Sequence, residues 1–242
     1  MTSEAELIRL LTEAQRSGSR ALDATTLGDL DRAAAYRVLS ETKMALGEAS
    51  GMLKTAIHPD GVGVAAPIFA SRVGRSERYS LPADRVIGLE VEVGLVLAHT
   101  VPNDPQIDEA TVVQSIDHYF VGVEVIGTRY ADRSKASPAG GLADNMSAFG
   151  YVIGPRFGGT DPNGLPIVLE HAGKEVYSAP AKHGFGTVLA SLVAYARAQQ
   201  PTMPLTAGTA VTTGSLCGLV FTSGPGHVIG RLGDDAVELE LV

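Results

Sequence analysis

After Gly51 the chain breaks into short runs of β-forming residues separated by Gly, Pro and Asp, and no other feature limits its fold as strongly. Glycine supplies the tight turns that such a pattern needs, and there are 28 in 242 residues. The candidate strands are Met52–Ile57, Val86–Leu97, His118–Ile126, Gly150–Ile153, Ile167–His171, Glu175–Tyr177, Ala210–Thr213, Leu219–Phe221 and Val237–Leu241. Before them the texture is helical. Ser3 and Glu6 have capping-box spacing, Leu7, Leu10, Leu11 and Ala14 recur at helical intervals, and Gly18 is a natural stop. Asp29 or Asp31 could cap a second helix that runs to Leu46 and ends at Gly47. The segment Thr187–Gln199 predicts one long late helix before Pro201, and Ile107–Ser115 a shorter one. The fold class expected is α+β, with a helical segment over 1–50 and a mixed β body over 51–242. No Gly/Ser linker or charge block divides the body, so the two parts read as one functional unit.

Charge and composition remove several function classes. Lys and Arg total 19 against 27 Asp and Glu, a net charge of −8. Nucleic-acid binders and membrane-surface proteins concentrate basic residues, so neither partner is expected. No apolar run reaches the ~18 residues of a membrane span. The acidic, amphipathic start lacks the basic-then-apolar order of a signal segment, which leaves a cytoplasmic location as the expectation. Cys217 is the single cysteine, so an intrachain disulfide and a Cys-based zinc site are both excluded. The histidines at 58, 99, 118, 171, 183 and 227 show no ligand spacing, and Lys182-His183-Gly184-Phe185-Gly186 lacks a nucleotide-binding context.

The stretch Gly88-Leu-Glu-Val-Glu-Val-Gly-Leu-Val-Leu97 alternates. Leu89, Val91, Val93, Leu95 and Leu97 share one face of a strand, and Glu90 and Glu92 share the other. Two carboxylates at that spacing can converge on one hard cation such as Mg2+ or Mn2+. A solvent-facing strand with two hydrated glutamates is the alternative. In Tyr119-Phe-Val-Gly-Val-Glu-Val-Ile126 a third carboxylate, Glu124, interrupts an apolar run. A buried carboxylate needs a cation, whereas an edge strand would turn it to water. Glu90, Glu92 and Glu124 together would make an oxygen-only site that suits Mg2+ better than zinc.

These motifs resemble the hydratase/decarboxylase branch of the fumarylacetoacetate hydrolase superfamily, the 2-keto-4-pentenoate hydratases and 4-oxalocrotonate decarboxylases. The likeness rests on Glu90-Val91-Glu92, on Glu124 about thirty residues later, and on Ala143-Asp144-Asn145-Met146-Ser147. It extends to Leu205-Thr-Ala-Gly208, Thr213-Gly214-Ser215 and Gly51-Met-Leu-Lys54, the last with one extra residue before the lysine. Three segments depart from the pattern. Gly127-Thr128-Arg129 stands for Asp-Ser-Arg, Gly186-Thr187-Val188 for Gly-His-Pro, and Pro67-Ile-Phe-Ala-Ser71 does not reproduce a Pro-x-x-Gly segment.

The resemblance implies a β-roll or distorted barrel that forms a homo-oligomer, with a complex with a pathway partner enzyme as a further expectation. It implies a Mg2+ (or Mn2+) site at Glu90, Glu92 and Glu124, catalytic roles for Lys54 and Asp144, and substrate contacts from Asn145, Ser215 and Arg129. The implied substrate is a small 2-oxo acid or its 2-hydroxydienoate enol, hydrated through a metal-stabilised enolate. Decarboxylation through the same kind of enolate is the alternative. C–C bond hydrolysis would call for a His/Glu water-activating pair that the sequence does not offer, and a non-catalytic ligand binder of the same fold is the rival from another class. From the residues alone Lys54 could be a surface lysine, Asp144-Asn145 a helix cap and Ser215 a turn serine.

Overall fold

The computed structural model describes residues 2–28, 30–76 and 79–242. Helix α1 (Glu4–Ser17) begins where Ser3 Oγ accepts the Glu6 N–H at 3.2 Å and ends at Gly18, which takes φ 72°. Helix α2 (Arg32–Leu46) begins where Asp31 Oδ1 accepts the Ala34 N–H at 2.7 Å and ends at Gly47. Asp29, the other candidate cap, lies outside the described residues. Each cap satisfies an N–H that has no partner inside its helix. Leu7, Leu11, Ala35, Val38 and Leu39 of this helical pair enter the same apolar core as Leu53, Leu95 and Val211 of the body.

The body consists of two sheets. The larger has the order β2 (Gly63–Phe69), β1 (Ser50–Ile57), β10 (Ala210–Ser215), β5 (Val86–Leu97), β6 (Ile116–Gly127), β7 (Ala148–Phe157) and β3 (Val73–Arg75), with β11 (Val220–Phe221) also pairing with β5. The smaller runs β4 (Ser80–Leu81), β13 (Asp235–Leu241), β12 (Gly226–Leu232), β8 (Pro166–His171) and β9 (Lys174–Pro180). The large sheet curls into a half-barrel and the fold is α+β. Leu89, Val91 and Val93 pack with Val228, Val237 and Leu239 of the smaller sheet, which seals one face of β5. The glutamates of β5 therefore project from the opposite face.

The late helix is shorter than its sequence suggests. Helix α5 covers only Ala190–Ala196, because Gly186 takes φ 87° and Leu189 offers no side-chain cap to start the helix earlier. Helix α3 (Glu109–Val113), capped by Asp108, falls inside the expected segment. Strands β2, β3, β4 and β12 were not legible in the sequence. In β2 the alanines and Pro67 are weak strand formers, yet every residue is buried. Pro67 is tolerated there because β2 is the first strand in the sheet order and so lies at its edge. Helix α4 (Pro138–Ala143) follows the Ser137 cap and leads into the turn discussed below. Among the described residues no helix is long and apolar enough to cross a membrane.

Candidate active site

Strand register brings the three glutamates together. Glu90 of β5 stands directly opposite Glu124 of β6, and Glu92 stands opposite Gly122. Carboxylate oxygens of Glu90, Glu92 and Glu124 all lie within 4.8 Å of one another, and Glu92 and Glu124 are fully buried. Like charges directly across a ladder repel, so this pairing needs a counter-charge. One comes from β1, where Lys54 Nζ donates to Glu124 Oε1 at 2.8 Å and to the Met146 carbonyl at 3.5 Å. Lys54 is not a surface lysine, since its side chain is only 12% exposed.

Two further residues, unmarked by any motif, complete the site. Thr212 of β10 donates its hydroxyl to Glu92 Oε2. Tyr151 of β7, in register with Glu124, is fully buried with its hydroxyl 3.4 Å from Thr212 Oγ1. Gly122 makes room for this ring, because a Cβ there would lie 2.2 Å from the Tyr151 hydroxyl. Five neighbouring strands, β1, β10, β5, β6 and β7, thus each send one or two side chains to one place.

The electrostatics are those of an acidic site short of positive charge. Burial and the neighbouring Glu124 and Glu90 carboxylates raise Glu92 well above the usual carboxylate range. Burial raises Glu124 to about 7 against the opposing pull of Lys54. Burial alone would lower Lys54, but Glu124, Glu90 and Glu92 outweigh it and hold the ammonium charged. Three carboxylates against one ammonium leave a formal charge of −2, which a divalent cation would neutralise. Glu92 Oε1 and Glu124 Oε2 are buried and have no hydrogen-bond partner among the described residues. Two free, hard oxygen donors beside a third carboxylate fit Mg2+, Mn2+ or Ca2+.

The remaining expected site residues, Asp144, Arg129, Asn145 and Ser215, are held by neighbouring groups. Asp144 ends α4, and its carboxylate accepts from Thr128 Oγ1 at 2.5 Å and from Arg129 Nε at 2.5 Å. Both partners are buried, so Asp144 and Arg129 are committed to each other. Asn145 Nδ2 donates to the Pro67 carbonyl at 2.7 Å. Asn145, Met146 and Ser147 take φ of 58°, 52° and 60°, a left-handed run costly for residues with a Cβ. This strained turn presents the Met146 carbonyl to Lys54. Ser215 pairs in register with Glu92, but its hydroxyl donates to the Gly218 carbonyl at 3.1 Å and accepts from the Cys217 N–H, which closes a turn.

Among curated protein sequences none matches the chain significantly. In overall structure it is similar to the 4-oxalocrotonate decarboxylase from Pseudomonas putida G7, complexed with magnesium and adipate. The two are 19% identical with a TM-score of 0.78, covering 100% of this chain and 99% of that one. It is also similar to 2-hydroxyhepta-2,4-diene-1,7-dioate isomerase from Mycobacterium marinum (18% identity, TM-score 0.54, 78% and 73% coverage). A third likeness is to fumarylpyruvate hydrolase from Pseudomonas aeruginosa in complex with Mn2+ and pyruvate (15% identity, TM-score 0.53, 78% and 87% coverage). These likenesses establish the shared fold. The profile of the fumarylacetoacetate (FAA) hydrolase C-terminal family matches residues 63–241, and with most of its length inside that match, the chain belongs to the fumarylacetoacetate hydrolase family.

Proposed function

We propose that the protein is a divalent-metal-dependent lyase that hydrates a 2-hydroxy-2,4-dienoate, or its 2-oxo-enoate tautomer, at the Lys54 and three-glutamate site. The observation that carries this reading is a buried, proton-bearing lysine 2.8 Å from a carboxylate that itself belongs to a metal-capable trio. Glu90, Glu92 and Glu124 would hold Mg2+ or Mn2+, which when bound supplies a Lewis acid for the paired oxygens of a 2-oxo carboxylate. The chain's own residues do the rest. Thr212 fixes Glu92 by its Oε2, which leaves Oε1 as the oxygen that would serve as a ligand. Lys54 Nζ holds the proton that moves to the terminal carbon of the diene, and the proton that the 2-hydroxyl loses returns to the neutral lysine, which leaves an enone. Water then adds at the conjugated carbon, and a proton returns beside the carbonyl. Met52, Ile68, Phe120 and Tyr151 form an apolar cluster at Tyr151 that keeps bulk water from the ring side of the site.

Asp144, Arg129 and Asn145 enter this scheme by holding the 145–147 turn that positions the Met146 carbonyl against Lys54, and Ser215 by shaping the end of β10. The full-length likeness to the Pseudomonas putida decarboxylase favours a second reading, decarboxylation of a 2-oxo dicarboxylate, since loss of CO2 generates the same dienolate that Lys54 would protonate. Purified protein with Mg2+ and 2-hydroxypenta-2,4-dienoate tests the first reading. Loss of the dienoate absorbance with formation of a 4-hydroxy-2-oxo acid supports it. No loss, together with CO2 release from 4-oxalocrotonate, replaces it with the second. Turnover of neither substrate overturns both and leaves a ligand-binding protein.

A further inference from the structure

Behind the strained turn lies a small cavity of about 10 Å³, the space of one water molecule or, with slight expansion, one halide ion. Its lining includes Gln15, Arg85, Thr128, Arg129, Asp144 and Asn145. The two arginines are 2% and 4% exposed. Arg129 spends Nε on Asp144, and its Nη1 is buried without a partner among the described residues. Arg85 donates from Nη1 to Gln15 Oε1 at 2.6 Å, and among the described residues its buried Nε has no partner. Among the described residues the nearest carboxylate to that Nε is Asp84 Oδ2 at 3.9 Å, beyond hydrogen-bond reach and on a side chain 46% exposed, so water screens it. Arg72 adds further positive charge, stacked on Phe149 at 4.6 Å, while Arg85 lies over the same ring at 4.9 Å. Burial lowers Arg85 to about 10, the mark of a guanidinium short of compensation. Among the groups lining the cavity, two guanidiniums face one carboxylate, a buried charge of +1. Unpartnered buried charge is costly, and a small anion within reach of the free N–H groups would offset it; the unpartnered acceptor of the same lining, Asn145 Oδ1, would have to turn away from it.

We propose that this cavity is a monovalent anion site, filled by chloride, that locks the Asp144–Ser147 turn from behind. The site stands apart from the reaction: no glutamate of the metal-capable trio lines it. Through Asp144 and Asn145, however, it braces the turn whose Met146 carbonyl meets Lys54.

The test compares thermal unfolding of the full chain in sodium gluconate with unfolding in chloride or bromide at matched ionic strength. Gluconate is too large to enter. Saturable stabilisation by halide is expected, with Tm higher by about 3–6 °C at ten times the dissociation constant. Arg85→Met removes the excess charge and should abolish the halide effect while leaving Tm in gluconate equal to or above that of the unsubstituted protein. If that variant does not fold, the unsubstituted protein decides the matter: a crystal grown without halide and soaked in bromide should show anomalous density between Arg85 and Arg129. Equal Tm in gluconate and halide, or bromide absent from the cavity with water in its place, overturns the proposal.

Discussion

Replacing Glu92 by Gln separates a metal-capable site from a merely acidic one, because the two demand opposite changes in stability. At no more than 4.8 Å from Glu90 and Glu124, an ionised Glu92 repels each by about 3.5 kcal/mol at an effective dielectric of about 20. Without metal the protein escapes this cost by keeping a proton on Glu92, whose pKa is raised well above the ordinary range. A carboxyl raised in the folded state lowers stability progressively as pH climbs above its unfolded value near 4.5 and through the folded one. Glu92→Gln imitates the protonated side chain, retains an oxygen to accept from Thr212, and removes that pH penalty. In chelator its Tm should therefore match wild type only near pH 4 and exceed it increasingly as pH rises, by several degrees near pH 9. Mg2+ should reverse the order, raising wild-type Tm in proportion to its occupancy while shifting the variant little. Differential scanning fluorimetry across pH, with and without Mg2+, reads both limbs. A variant that melts below wild type in chelator at pH 9, or that keeps the full Mg2+ shift, refutes the electrostatic reasoning.

Lys54→Met should lower kcat by about 10²–10⁴-fold, the usual range for a positioned proton-transfer group. Its metal affinity should be retained or tightened, because a positive charge 2.8 Å from Glu124 is removed; steady-state kinetics and calorimetry would show this, and a kcat within about threefold of wild type would assign proton transfer elsewhere. With Glu124 raised to about 7, Mg2+ affinity should rise with pH through neutrality and binding should release protons, which calorimetry in buffers of different ionisation enthalpy measures. Constant affinity from pH 6 to 8 would contradict that. Asp144→Asn leaves Arg129 buried and uncompensated and should destabilise the fold by about 3–5 kcal/mol in urea unfolding. A change under 1 kcal/mol would show that the pair is not structural.

The glutamate trio was legible because its signals are local and of two kinds. Alternation over 88–97 put Glu90 and Glu92 on one face, and an apolar context made Glu124 anomalous. The direct opposition of Glu90 and Glu124 is a register, which depends on the whole β5–β6 ladder and has no local mark. Lys54, by contrast, stood out only through the family resemblance, since a lysine in a short apolar strand is not in itself a buried one. Thr212 and Tyr151 were invisible for a different reason: a threonine and a tyrosine in strands are ordinary β formers, and only three-dimensional proximity to Glu92 gives them chemistry. Asp144 and Arg129 carried a family motif whose residue types survive, but their placement shows a buried ion pair that braces a turn. The short α5 and the proline-bearing β2 escaped because tertiary burial and sheet position, rather than propensity, decide them.

The central claim is that Glu90, Glu92 and Glu124 hold one divalent cation, and Mn2+ titration followed by electron paramagnetic resonance tests it most directly. The expected result is one Mn2+ bound per chain, displaced competitively by Mg2+, with affinity reduced at least about 10²-fold in Glu124→Gln while the circular dichroism spectrum is unchanged. Mn2+ bound equally well by wild type and by a folded Glu90→Gln/Glu92→Gln/Glu124→Gln chain, or not bound by wild type at millimolar concentration, would contradict it.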